Sequence, residues 1–191
     1  MDVPTMQYLM IDGHGDPNTS PAFAAAIETA YPVAYKLKFA SKQDLLRDYV
    51  VPPLEALWWA DDMTTFTTSR DKARWDWTLL LMVPSWLSRT MFAAAVEQAR
   101  TKNPPTRIDD VRLEDLAEGR CVQTLHVGSF DDEAAVLAQL HDDFIPSQGM
   151  HMTGKHHEIY LSDFRRVAPE KQRTILRQPV IAEEAQGTAS L

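Results

Sequence analysis

The chain has 191 residues, with 19 basic and 27 acidic side chains and a formal net charge of −8. That length suits one compact domain, or two small halves around a shared core, and buries enough surface to need no disulfide or structural metal. The acidic balance argues against nucleic acid as a direct partner, because phosphate binding draws on a Lys/Arg surplus, and the single cysteine, Cys121, excludes an internal disulfide and a thiolate zinc site.

No leader pattern opens the chain, and its longest apolar run, residues 79–84, is far short of the ~20 residues a bilayer requires. The expectation is a cytoplasmic protein with Cys121 as an ordinary buried residue. The first predicted strand is Met6 to Ile11, followed by a loop over Asp12-Gly13-His14-Gly15-Asp16-Pro17-Asn18. Thr19 and Ser20 then offer caps for a helix with Pro21 in its first turn. Phe23, Ile27, Ala30, Ala34 and Leu37 form its apolar stripe, and Pro32 within that stripe should kink it.

From Tyr49 to Ala60 the pattern is extended, with Leu54, Ala56 and Trp58 on one face and Glu55, Leu57 and Trp59 on the other. A polar loop, Asp61 to Lys72, leads to a strong strand, Trp75 to Val83. A helix follows from Ser88, its cap, to Lys102, burying Met91, Phe92, Ala95, Val96 and Ala99, and Asn103-Pro104-Pro105-Thr106 stops it. The second half repeats the plan. Cys121 to Val127 is a strand, and Gly128 to Asp132 a turn and cap. Glu133 to Phe144 is a helix with Val136, Leu137, Leu140 and Phe144 inward. Lys155 to Leu161 is extended, Pro169 to Lys171 a short turn or single helical turn, and Thr174 to Val180 a closing strand. Each half reads strand, Gly-acidic turn, helix, strand, strand, which places Glu55 and Glu158 at corresponding positions. Residues 1–180 are expected to be one domain with halves of about 3–103 and 104–180, and 181–191 a disordered tail.

The segment Lys155-His-His-Glu-Ile-Tyr-Leu-Ser-Asp163 carries the most chemistry. In a strand His156, Glu158 and Tyr160 share one face, so an imidazole, a carboxylate and a phenol stand side by side. A solvated outer face is the plain alternative. Trp59 shares a face with Glu55, and Trp75 with Trp77. Any one tryptophan is equally well a core residue, but three on adjacent strands favour a groove for flat, hydrophobic or cationic molecules. His156 and His157 point to opposite faces and cannot chelate one ion, and no HExxH or CxxC spacing occurs, so neither metal nor cofactor is expected. Gly13-x-Gly15 lacks the third glycine of a dinucleotide loop, and no Gly-x-Ser-x-Gly elbow is present. Arg165-Arg166 and Lys171-Gln-Arg173 read as a solvated basic face or as carboxylate partners.

Tyr49-Val-Val-Pro-Pro-Leu-Glu-Ala-Leu-Trp-Trp59, Trp75-Asp-Trp-Thr-Leu79, His126-Val-Gly-Ser-Phe130 and His156 to Asp163 through Pro179-Val180 together resemble the GyrI-like small-molecule-binding family. The resemblance covers about residues 3–180. It implies an α+β fold of two strand-helix-strand-strand modules in pseudo-twofold arrangement, an antiparallel sheet with helices packed on one side, and a ligand groove between the modules. Multidrug-responsive regulators of that family bind lipophilic cations with aromatic walls and a buried glutamate, a position Glu158 matches. With no stretch here for a helix-turn-helix, a stand-alone module is expected. Some stand-alone relatives hydrolyse cyclopropane-containing genotoxins through a Glu and a Tyr, roles that Glu158 and Tyr160 can fill. Others protect gyrase as protein-interaction modules. The expected partner is a small hydrophobic or cationic ligand, with neither nucleic acid nor membrane involved directly and a homodimer left open. The expected ligand contacts beside Glu158 and Tyr160 are Glu55, Trp59, Trp75, Trp77, Phe130 and His156.

Overall fold

A computed structural model describes residues 1–61, 71–101 and 104–183. Short β1 (Asp2–Val3) leads into β2 (Met6–His14), α1 (Pro21–Asp44), β3 (Leu54–Trp59), β4 (Asp76–Val83) and α2 (Arg89–Arg100). The second module contains β5 (Arg112–Leu116), β6 (Gly119–Val127), a helical segment α3 over 133–147, β7 (Met150–Met152), β8 (His156–Tyr160) and β9 (Arg173–Ala182). The strands form one curled antiparallel sheet in the order β1-β6-β9-β8-β3-β4-β2-β5, with β7 paired to β9. No helix among the described residues is long and apolar enough to cross a membrane. The 61–72 loop expected from the sequence falls largely outside the described residues, as do 102–103 and 184–191.

The two modules are related by a twofold axis that the strand register locates. Turning the sheet about the Ala56–Glu158 pair at the β3–β8 junction carries Leu54–Trp59 onto 156–161. The same turn carries Met6–His14 onto Gly119–Val127 through the matching β4 and β9 ladders. The strand preceding each module crosses to the other: β1 pairs with β6, and β5 pairs with β2. A twofold axis normal to the sheet keeps every residue on its own face. Glu158 is therefore the counterpart of Ala56, not of Glu55, which points to the opposite side.

Alternation sorts the strands as expected. Leu54, Ala56, Trp58, Trp77, Leu79, Leu81 and Tyr160 join the core under α1 and α2, while Leu57 and Leu80 pack with Tyr8 and Met10 on the reverse face. Pro21 opens α1 and Pro32 lies inside it, but Ser20 makes no capping hydrogen bond, whereas Ser88 does cap α2 through Met91 N. β2 runs on to His14 through residues expected in a turn. Gly13 pairs with Trp77, and a Cβ there would overlap the indole, so the glycine continues the strand by letting the ring lie across it.

α3 departs from the simple helical stripe. Its Glu133–Ala138 turn becomes a π-helix over Gln139–Phe144 before a last α turn, Ile145–Ser147. The wider turn shifts the inward positions to Leu140 and Ile145, five apart, and leaves Phe144 46% exposed instead of buried. At the other end, β9 extends to Ala182 and Glu183 N bonds Gly149 O, so ordered structure passes the expected boundary at 180.

Candidate active site

On the helix side of the β3–β8 junction lies a cavity of about 140 Å³. That is the size of apolar cavities that hold a single benzene ring. Trp58 from β3 forms its floor, stacked on Phe23 of α1 at 5.8 Å and meeting Trp75 edge-on at 5.8 Å. Phe130, Tyr160 and Phe164 form an edge-to-face cluster on the opposite wall, with ring centroids 5.6–5.9 Å apart. Ala134 and Leu137 of α3 close one side, and the buried Glu133 adds a carboxylate. Lys72, held 3.4 Å from Asp131, brings a positive charge to the lining.

Glu158 is the chemical centre of this cavity. Its side chain is 14% exposed. Tyr160 OH donates to its Oε2 at 2.8 Å, and Trp58 Nε1 donates to the same phenol oxygen at 3.2 Å. A relay from indole to phenol to carboxylate thus fixes the orientation of the acid. Burial pushes the Glu158 carboxyl up to about 7, against the opposing pull of hydrogen bonds from Tyr160 and Trp58 and of the His157 and Lys72 charges. Burial likewise drives the Tyr160 phenol well above its ordinary range, with the Glu158 charge adding to it, so Tyr160 stays a proton donor. His156 stands beside them with Nε2 3.7 Å from Glu158 Oε1. Burial, then the nearby His141 and His157, lowers its imidazole to about 3, so near neutral pH the ring is uncharged and the contact is not an ion pair.

Five sequence-predicted residues meet here: Trp75, Phe130, His156, Glu158 and Tyr160. Three do not. Trp77 is fully buried beneath Phe23 in the core and does not reach the cavity. Trp59 faces the reverse side, with Lys155 Nζ 3.1 Å from its ring centroid. Glu55 also faces that side, where its Oε2 lies 2.9 Å from His157 Nε2. His157 Nδ1 meets Glu118 at 2.9 Å, and Arg177 bonds Glu118 at 2.8 Å and Gln123 at 3.0 Å. The carboxylate partners hold the His157 imidazole above its ordinary value despite its burial, and His157 and Arg177 hold Glu118 low. Glu55 therefore belongs to a buried charge network, not to the cavity. The strand residue that sequence reasoning missed is Trp58. Its signal was the alternation itself, which sets Trp58 rather than Trp59 on the Leu54–Ala56 face. Lys72, Glu133 and Phe164 come from loops and a helix start, where periodicity offers no guide. Among the described residues no group of three His, Cys, Asp or Glu side chains is placed to hold a metal ion.

A half-barrel with helices on one face and an aromatic, carboxylate-bearing cavity at its twofold axis defines a small-molecule-binding domain of α+β class. The sequence model of the GyrI-like small molecule binding domain matches residues 1–180, and the chain belongs to that family. An uncharacterized conserved protein from Listeria innocua is 39% identical, with a TM-score of 0.86 over 95% of this chain and 90% of that one. A Listeria innocua protein described as a hydrolase is 38% identical, with a TM-score of 0.82 over the same shares. The EcmrR C-terminal domain shares the fold at 12% identity and a TM-score of 0.60, over 95% of each chain. No curated protein matches the chain.

Proposed function

We propose that the chain is a hydrolase that adds water to a strained, flat, apolar electrophile, with Glu158 as general base. The observation that carries this reading is the buried Glu158 carboxyl, poised near 7 and oriented by Tyr160. A base with a pKa near the working pH combines a useful ionised fraction with real proton affinity, and such catalysis contributes roughly 10²–10⁴-fold. The Listeria innocua hydrolase, at 38% identity, supports the same reaction class.

The family resemblance implies a strained, cyclopropane-containing substrate, and for one activated by fusion to a conjugated dienone the steps balance without a further reagent. Water oxygen forms a bond to the strained ring carbon while its proton passes to Glu158. The breaking carbon–carbon bond delivers its electron pair through the ring to the carbonyl oxygen. That oxygen takes up a proton, and the product is an alcohol bearing a phenol. Trp58 and Phe130 sandwich the flat ring, Tyr160 holds the base in place, and Lys72 is the positive charge on hand for the oxygen where negative charge develops.

A second reading, a receptor for flat aromatic cations, is favoured by the aromatic wall around a carboxylate. The two separate on Glu158→Gln. For a hydrolase, turnover of a chromophoric cyclopropane-fused dienone disappears while binding of the aromatic scaffold persists. For a receptor, wild type gives no turnover, and the substitution weakens binding of a dye cation. Absence of any ring opening by the wild type refutes the hydrolase reading.

A further inference from the structure

His156 is 7% exposed and lines the cavity, yet neither of its ring nitrogens has a hydrogen bond of good geometry among the described residues. Leaving buried polar atoms unpaired costs about 1–3 kcal/mol, so their retention in a cavity wall calls for a ligand atom to complete them. His141 packs edge-on to the ring at 5.7 Å, and Gln178, whose amide donates to the Thr153 and Pro179 carbonyls, is the side chain that hydrogen-bonds toward the imidazole and pulls it upward against its burial. On the open side is Glu158. Its Oε2 is occupied by Tyr160, and its Oε1 is turned to His156 Nε2 across 3.7 Å.

That gap is too long for a direct hydrogen bond, and an oxygen about 2.8 Å from each atom would bridge it, reached by a small shift of the buried ring. Building on the hydrolase reading above, we infer that His156 is a catalytic residue that holds the attacking water jointly with Glu158. Water donates one hydrogen to Glu158 Oε1, the oxygen that takes the proton, and the other to Nε2. Its lone pair is then left to face the cavity. The ring acts as a neutral acceptor at Nε2 with its proton on Nδ1, and it undergoes no net protonation. Its uncharged state matters, since an imidazolium offers no acceptor and would pair with Glu158 directly. The geometry gives the two side chains different tasks. Glu158 removes the proton, and His156 fixes where the oxygen sits.

The test compares three substitutions, with the chromophoric cyclopropane-fused dienone as turnover probe and tryptophan fluorescence to follow its binding. Gln places an amide atom near the position of Nε2, Asn places one near Nδ1, and Leu fills similar volume with no polar atom. Expected for His156→Leu and His156→Asn is a kcat lower by on the order of 10- to 100-fold with KM unchanged, the scale of a misplaced reactant. His156→Gln should recover most of that loss. A merely structural role would not rank Gln above Asn or leave KM untouched. Wild-type kcat in His156→Leu, or equal loss in all three variants, overturns the inference. The hydrolase reading fails separately: it falls if Glu158→Gln turns over normally, whatever His156 does. His156→Leu puts an apolar group into a buried apolar wall, and urea unfolding of each variant establishes that it is folded.

Discussion

Replacing Glu158 by Gln should stabilise the protein in alkaline solution while abolishing its chemistry. A carboxyl that titrates near 7 in the folded chain and near 4.5 when unfolded binds its proton more tightly in the folded state. Folding is then helped by protonation. The contribution is fully present below about 4.5 and is lost as pH rises through 7. Between pH 5 and pH 9 the loss amounts to about 2–3 kcal/mol, at 1.36 kcal/mol for each unit of displacement. Gln keeps an acceptor for Tyr160 OH at nearly the same place but has no charge to desolvate. Urea unfolding of wild type and Glu158→Gln at pH 5 and pH 9 measures the effect. The stability gap between them should widen in favour of the variant by about 2–3 kcal/mol, or roughly 5–10 °C in Tm for a chain of this size. Subtracting one protein from the other cancels His157, whose stabilising contribution is likewise lost with rising pH but is common to both. A gap that stays constant from pH 5 to pH 9 refutes the claim that Glu158 is held protonated by burial.

Trp58→Phe keeps the stacking on Phe23 but removes the donor to Tyr160 OH, a loss of about 1 kcal/mol in unfolding free energy. Because hydrogen bonding from Trp58 holds the Glu158 carboxyl down, the inflection of the pH–rate profile should move upward from about 7. Arg177→Ala leaves Glu118 buried without its guanidinium and should cost about 3–5 kcal/mol by denaturant titration. Since that network is on the reverse face, the folded fraction should bind ligand with wild-type affinity. Leu46 sits just past α1 at φ 55 and is 89% exposed, so Leu46→Gly should relieve left-handed strain and raise stability by about 1 kcal/mol, read as a higher urea midpoint.

Period and punctuation made most of this fold legible. The 2-residue alternation of β3 and β8 and the Ser88 cap appear in the structure where the pattern puts them. What escaped had local physical causes. The turn expected at Asp12-Gly13-His14 is strand because an indole from β4 needs the space over Gly13. Phe144 is exposed because a π-turn inserts an extra residue between inward positions, which no 3.6-residue stripe anticipates. In the site, the strand His156-His-Glu-Ile-Tyr160 showed its three functional groups through alternation alone. Pairing Glu55 with Glu158 by order of elements drew Trp59 into the expected groove. Register decides such matters, and register is a property of strands meeting, not of one strand's sequence.

The corrected correspondence also explains why a nearly symmetric frame has an asymmetric site. Opposite His156, Glu158 and Tyr160 in one module stand Leu54, Ala56 and Trp58 in the other, all on the same face and all at the axis. On that face one module supplies every titratable group of the two strands, and the other supplies methyl, isobutyl and indole surfaces beside them. Had both modules carried a glutamate at this position, two like charges would meet across the cross-strand pair, and one would have to take up a proton. With Ala56 as the partner, Glu158 is the one carboxyl of this cross-strand pair to be desolvated. That desolvation, not a neighbouring negative charge, brings Glu158 to about 7 and leaves it able to act as a base. An Ala56→Glu substitution should therefore raise the pH–rate inflection and destabilise the protein most at alkaline pH, where both acids are driven to ionise. An unchanged inflection in a folded variant would show that charges at the two positions do not sense each other.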